Sequence, residues 1–245
     1  SINTGGTLFL TSSTPIRGTS QDAVNSWSSG INGTLSLAPG TNTIDIAPIQ
    51  IAGRTYSDTD SAFSLAAAVV GTGVSLLKTG DGILRLGGAS TFDGGVRVVA
   101  GAVDLGGSTS VTTLYTAGTG LSSAASFTGP TGIGTLTLGE GTRLMADNSQ
   151  TRTLVNRVVF EGGTLRFDKT NGSNNSTLTL NGALSFPSGA VSIDVPNPYL
   201  TVNLLGATNL ANVTELTQTG LGTLSVNLTG LSPAAPIRLQ GSTLA

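Results

Sequence analysis

The chain has 245 residues and a formal net charge of −2, with charged residues at only 10%, no cysteine and no histidine. Those numbers exclude a disulfide framework, thiolate chemistry, and the commonest general base and metal ligand. With no basic cluster the chain does not suit nucleic acid, and no run of eighteen apolar residues provides a transmembrane helix.

Glycine, at 35 residues, is about twice its usual share of roughly 7%. Aromatics are 4%, so a core has to be built from Leu, Val, Ile and Ala. Thr, Ser and Asn take the place of charge on the surface, a composition typical of extracellular stalks, fibres and surface layers. The chain opens without Met or a charged-then-apolar leader, which reads as a mature or excised product. An all-β chain of this length is commonly one domain. Residues 1–245 are therefore taken as a single unit, with 1–75 as an N-terminal portion and 76–245 as regular rungs.

The elements follow in chain order. Gly6-Thr7-Leu8-Phe9-Leu10 is a first alternating strand. Residues 20–27 read as a short helix with Ser20 as N-cap and Ala23, Val24 and Trp27 on one face. Trp27 then seals the first rung, with a sugar-stacking platform as the alternative. Gly33-Thr34-Leu35-Ser36-Leu37 repeats the opening strand, and further strands are expected at 43–46 and 48–51. The Ala-rich stretch 60–70 is expected as a helix of two to three turns capped by Asp60, with a pair of buried strands as its rival. Strands are then expected at 96–99, 102–105, 142–145, 157–160, 177–180, 183–186, 191–195, 200–204 and 236–239. Gly134-Thr135-Leu136-Thr137-Leu138, Gly163-Thr164-Leu165-Arg166-Phe167 and Gly222-Thr223-Leu224-Ser225-Val226 repeat the first strand again. Residues 121–132 and 171–176 read as loops, and glycine pairs such as Gly5-Gly6, Gly87-Gly88, Gly94-Gly95, Gly106-Gly107 and Gly162-Gly163 as corners with positive φ.

A G-x-L-x-L unit puts two apolar side chains on one face of a strand and buries almost nothing alone. Copies must stack to make a core, and likeness among the copies favours a β-solenoid over a sandwich, whose strands sit in unlike environments. At roughly 20–25 residues per turn the chain makes about ten turns, a rod on the order of 50 Å. The expected class is all-β, a parallel solenoid with one or two short helical capping or lateral segments.

The clearest unit is Leu76, Lys78, Gly80, Gly82, Leu84, Leu86 and Gly88, followed by Gly94-Gly95, Val98 and Gly101. It resembles the autotransporter-associated β-strand repeat of large bacterial surface proteins. Ser90, Phe92 and Val96 depart from it, where the family favours Asn, Tyr and Thr. A degenerate copy starts at Leu216, with Gln218 in the lysine position, then Gly220, Gly222 and Leu224. The resemblance implies a right-handed parallel β-helix on a bacterial cell surface and implies no catalytic residue, because the motif is structural.

Parallel β-helices that cleave polysaccharides need clustered carboxylates with Arg or Lys on neighbouring rungs. The tightest acidic pair is Asp58 and Asp60, near Arg54 and Tyr56. Its first reading is a solvated turn residue beside a helix cap, its second a weak Ca²⁺ or sugar site. Asp81, Asp93 and Asp104 read as turn or surface residues, and Lys78 and Arg85 as solvated charges. Five Asn-x-Ser/Thr sequons, at Asn32, Asn171, Asn174, Asn212 and Asn227, reflect an Asn- and Thr-rich surface. No cofactor is expected. A coil of strands exposes an edge at each end, and identical low-charge rods can stack there. The expectation is a non-enzymatic structural protein whose partner is itself, end to end. A module binding surface glycans or a host protein, and a β-helix lyase or hydrolase, are the alternatives.

Overall fold

The computed structural model describes the chain apart from residues 1, 12–13, 20–28, 52–53, 56, 113–114, 117–119, 122–125, 230, 233, 241–242 and 245. The described residues are all-β, without a helix. Ten strands follow one another along a long sheet: Ile2–Leu10, Ser29–Leu37, Phe63–Leu65, Ile83–Leu86, Ala102–Leu105, Arg143–Ala146, Thr164–Lys169, Gly189–Asp194, Val213–Thr219 and Ile237–Gln240. Ala68–Val70 also pairs with Ser29–Leu37. A second sheet runs from Ile16–Gly18 through Gly40–Ile46, Val74–Thr79, Val96–Val98, Leu136–Leu138, Val158–Phe160 and Leu184–Ser185 to Thr208–Asn209. The third starts only at Thr151–Leu154 and continues through Ser176–Leu180, Leu200–Leu204 and Thr223–Val226 to Thr243–Leu244.

Every pairing in these three sheets is parallel and joins strands from successive passes of the chain. Long parallel sheets with such crossovers are compatible with a β-solenoid. The register explains why the repeats look alike. Leu84 lies beside Val103, Val103 beside Leu144, and Leu144 beside Phe167, so one inward position becomes a continuous apolar ladder. All four are buried, within a core cluster that also takes Leu76, Val96, Leu136 and Val158 from the second sheet and Leu154, Leu178 and Val202 from the third. Full burial of such a side chain is worth about 1.5–3 kcal/mol, gained only once the neighbouring pass is in place. Phe160 packs edge-on to Phe167 and stacks on Phe186, with centroids 6.1 and 5.1 Å apart.

Two expectations change and one is left untested. The stretch 60–70 is not a helix but Phe63–Leu65 and Ala68–Val70, so the rival reading stands. Phe63, Leu65, Ala67 and Val69 alternate inward at period two, and neighbouring strands supply their hydrogen-bond partners. The helix expected at 20–27, with Ser20, Ala23, Val24 and Trp27, lies outside the described residues. Of the paired glycines only Gly95 has positive φ. Gly88 is needed for a different reason: a Cβ there would run into the carbonyl of Ala67 on the neighbouring pass.

Two insertions leave the regular path. Gln50–Ile51 and Arg54–Thr55 form a small antiparallel pair within 47–61, so the strand expected at 48–51 is not part of the main sheets. Between Leu105 and Leu136, Ser110–Thr112 pairs antiparallel with Ser126–Thr128, and Tyr115–Thr116 with Gly120–Leu121. The 121–132 loop therefore starts inside a hairpin. Its stem is fastened to the first strand of the third sheet by the Thr109 amide on the Thr153 carbonyl, 2.8 Å.

Candidate functional site: the strapped face of the long sheet

Because Leu84, Val103, Leu144 and Phe167 point inward, Ile83, Arg85, Ala102, Asp104, Arg143, Met145, Arg166 and Asp168 share the opposite face. That face is covered. Ile83, Ala102 and Met145 form a second, smaller buried cluster, Asp104 is fully buried and Asp168 nearly so. The cover is the segment 47–61, a strap between Ile46 of the second sheet and Phe63 of the long one. At its carboxyl end the Ala62 amide donates to the Ile83 carbonyl at 3.0 Å. The Ser61 hydroxyl donates to Asp104 Oδ2 at 3.1 Å.

The strap is clasped by one residue over a hundred positions away. Thr59 Oγ1 donates to Asn171 Oδ1 at 2.6 Å. Asn171 Nδ2 donates in turn to Asp60 Oδ2 at 3.0 Å and Ser57 Oγ at 3.3 Å. Asp60 is thus half of a clasp and not a helix cap; its own amide donates to Ser57 Oγ at 3.1 Å.

Beneath and beside the strap runs a ladder of ion pairs. The register sets Arg85 directly beside Asp104, 2.9 Å apart, and Arg85 also reaches Asp147 at 2.8 Å. Arg152 holds Asp147 with two hydrogen bonds of 2.7 and 2.5 Å. Farther along, Asp168 meets Arg166 at 3.4 Å and Arg143 at 3.7 Å, and Arg166 reaches Asp194 at 3.6 Å. Burial pushes the Asp104 carboxyl up, outweighing Arg85 and the Ser61 hydroxyl. Burial acts the same way on Asp147, but there the Arg152 and Arg85 guanidiniums win and hold it below the usual carboxylate range. Asp104 Oδ1 and Arg166 Nε are buried without a hydrogen-bond partner among the described residues.

Between strap and sheet lies a cleft of about 260 Å³, bordered by Asp58 and Asp60 on one side and Asp81 and Arg143 on the other. The two weak candidates therefore share one site, joined by an aspartate and an arginine from other passes. Tyr56 lies outside the described residues. The described residues contain no group of three His, Cys, Asp or Glu able to hold a metal ion. A wider hollow of about 600 Å³ near the carboxyl end, beside Ser188, Asn212 and Thr214, has no charged residue in its described lining.

Two charges expected in solvent are not there. Lys78 is fully buried. Its Nζ donates to the carbonyls of Thr79 at 2.9 Å, Gly80 at 2.6 Å and Ala100 at 3.0 Å, which ties its own corner to the corner of the next pass. Burial lowers its pKa to about 8, opposed by Asp81 and Asp45. Lys78 has the same parity as Leu76, so alternation alone places it inward. Lys169 repeats the device from the long sheet, donating to Asn148 Oδ1 at 2.9 Å and to the carbonyls of Thr170 at 3.1 Å and Gly172 at 2.6 Å. Gln218, in the lysine position of the degenerate repeat, donates to the Gly222 carbonyl at 3.4 Å. Arg85 is half-buried and paired, and Asp104, expected at the surface, is its buried partner. Asp93 keeps its turn role, accepting the Gly73 amide at 2.6 Å.

Sequence reasoning missed Asn171, Asp147, Arg152 and Arg143. A signal existed for part of this. Laying Ile83-Leu84-Arg85-Leu86 over Ala102-Val103-Asp104-Leu105 puts opposite charges side by side. Nothing local in 47–61 or 171 announces that the two segments meet.

A scan against protein-family models finds no match, and searches of curated proteins and of solved structures find no significant match either.

Proposed function

We propose that this chain is a right-handed parallel β-helix serving as a non-enzymatic structural element of a bacterial surface, with other copies of itself as end-to-end partners. The right hand follows the general rule for parallel crossovers, and ten strands at about 4.8 Å give a rod of about 45 Å. The surface location rests on the composition and on the resemblance of 76–105 to the autotransporter-associated repeat.

The observation that carries the self-stacking is the character of the two outermost described strands of the long sheet. Ile2–Leu10 pairs only with Ser29–Leu37, and Ile237–Gln240 only with Val213–Thr219. Each leaves one unpaired edge among the described residues, and Ile2, Phe9, Ile237 and Leu239 are exposed there. Leu8 and Leu10 have the parity of inward Leu35 and Leu37, while Ile237 and Leu239 have that of inward Leu216 and Gln218. A second copy laid head to tail continues the parallel direction and sets Leu8 and Leu10 over apolar neighbours. Ile2–Leu10 carries no charge and Ile237–Gln240 only Arg238, so no like charges oppose the joint.

Size-exclusion chromatography with light scattering, followed by electron microscopy, tests this. Concentration-dependent rods of uniform width support it; a monomer that persists at millimolar concentration overturns it.

A further inference from the structure

The cleft under the strap has a composition that the stacking of passes does not require. Two elements from distant parts of the chain build it, and Asn171 fixes its outer wall. The Arg143 guanidinium makes no hydrogen bond to a described residue: it has a 3.7 Å ion pair to Asp168 and lies in the field of Asp58, with its side chain 13% exposed. A guanidinium carries five N–H donors, so several remain for whatever enters. Asp58 and Asp81, both exposed, likewise accept no hydrogen bond from a described residue. Ile49, from the main core cluster, and Ile83, from the smaller one, each add apolar surface to the lining.

The arrangement narrows the ligand. The described residues form no group of three carboxylates able to hold a metal ion, and Asp58 and Asp60 reach the lining from one stretch of chain and Asp81 from another. Spread acceptors and an opposing donor suit several hydroxyl groups carried on one small frame, with the apolar patch against its C–H face. Three carboxylates against one guanidinium disfavour an anion. The volume, about 260 Å³, falls below the roughly 300–1,000 Å³ of drug-sized pockets and leaves room for one ring. We infer that this cleft binds a single neutral hexopyranose unit of a glycan, with Arg143 donating to ring or hydroxyl oxygens and Asp58, Asp60 and Asp81 accepting from hydroxyls. This does not depend on self-stacking: a monomeric chain presents the same cleft.

Saturation-transfer NMR on the whole chain with the methyl glycosides of glucose, galactose and mannose provides the test, repeated with Arg143→Ala and with Asp81→Asn. Asp81 is exposed, so its variant keeps the experiment readable if Arg143→Ala fails to fold. The expected result is binding of at least one glycoside with a Kd on the order of millimolar, weakened at least tenfold in the variants, with glucuronic acid bound less well. Three outcomes overturn it: no transfer to any of the three at about 50 mM, well above that Kd; binding that both variants leave unchanged; or tighter binding of glucuronic acid. None of these bears on whether copies stack.

Discussion

At the scale of single residues, the molecule rests on side chains that close the corners between passes. Lys78 donates to three partly buried corner carbonyls. A buried acceptor left without a donor costs about 1–3 kcal/mol. Lys78→Met keeps the bulk and removes the donors, and is expected to lower stability by that order at pH 7, read by urea denaturation. The pH dependence has a definite sign. The folded lysine titrates at about 8 and the unfolded one near 10.5, so between those values the unfolded chain binds more protons and stability rises with pH. That rise should shrink in Lys78→Met. Gly80 and Gly141 provide a second comparison. Their φ values are nearly equal, +72° and +71°, but a Cβ on Gly80 would strike the Ile46 carbonyl while one on Gly141 meets open space. Gly141→Ala should cost about 1 kcal/mol from backbone strain alone. Gly80→Ala should cost at least about 2 kcal/mol more, because overpacking against a backbone atom is added. Equal losses in thermal melts would refute that division.

At the scale of elements, the strap 47–61 is the part that departs from the repeat. Its described residues border Ile83 and its Ser61 hydroxyl donates to the buried Asp104, while three hydrogen bonds to Asn171 hold its middle. Asn171→Ala removes all three without touching the core ladders. Each bond is worth about 0.5–1.5 kcal/mol net, toward the lower end at an exposed site. Hydrogen exchange should therefore quicken at the amides of Thr59, Asp60 and Ala62, while Leu144 and Val103 keep their protection. Uniform loss of protection would instead mean that the clasp supports the whole sheet.

At the scale of the whole molecule, parallel stacking makes stability a sum over neighbouring passes, and the outermost passes have a neighbour on one side only. An inward-pointing charge at an edge is a natural guard against association. Leu239→Lys places one at an exposed, singly paired strand. The concentration at which rods form should rise at least tenfold by light scattering, with the monomer's melting temperature little changed. Similar assembly by both chains would place the joint elsewhere.

The sequence by itself determined many of the strands. The unit Gly33–Leu37 falls inside Ser29–Leu37, the unit Gly163–Phe167 lies in Thr164–Lys169 apart from its first glycine, and Ala102–Leu105 and Leu200–Leu204 have the expected bounds. Period-two alternation and glycine corners are local properties, present in any stretch of five or six residues. Only the tertiary structure decided what each strand lies beside. That buries Lys78 instead of solvating it, turns 60–70 into strands supplied with hydrogen bonds by Ser29–Leu37 and Ile83–Leu86, and brings Asp58, Asp60, Asp81 and Arg143 around one space. Such contacts join residues from separate passes, and the energy of a pass comes from its neighbours.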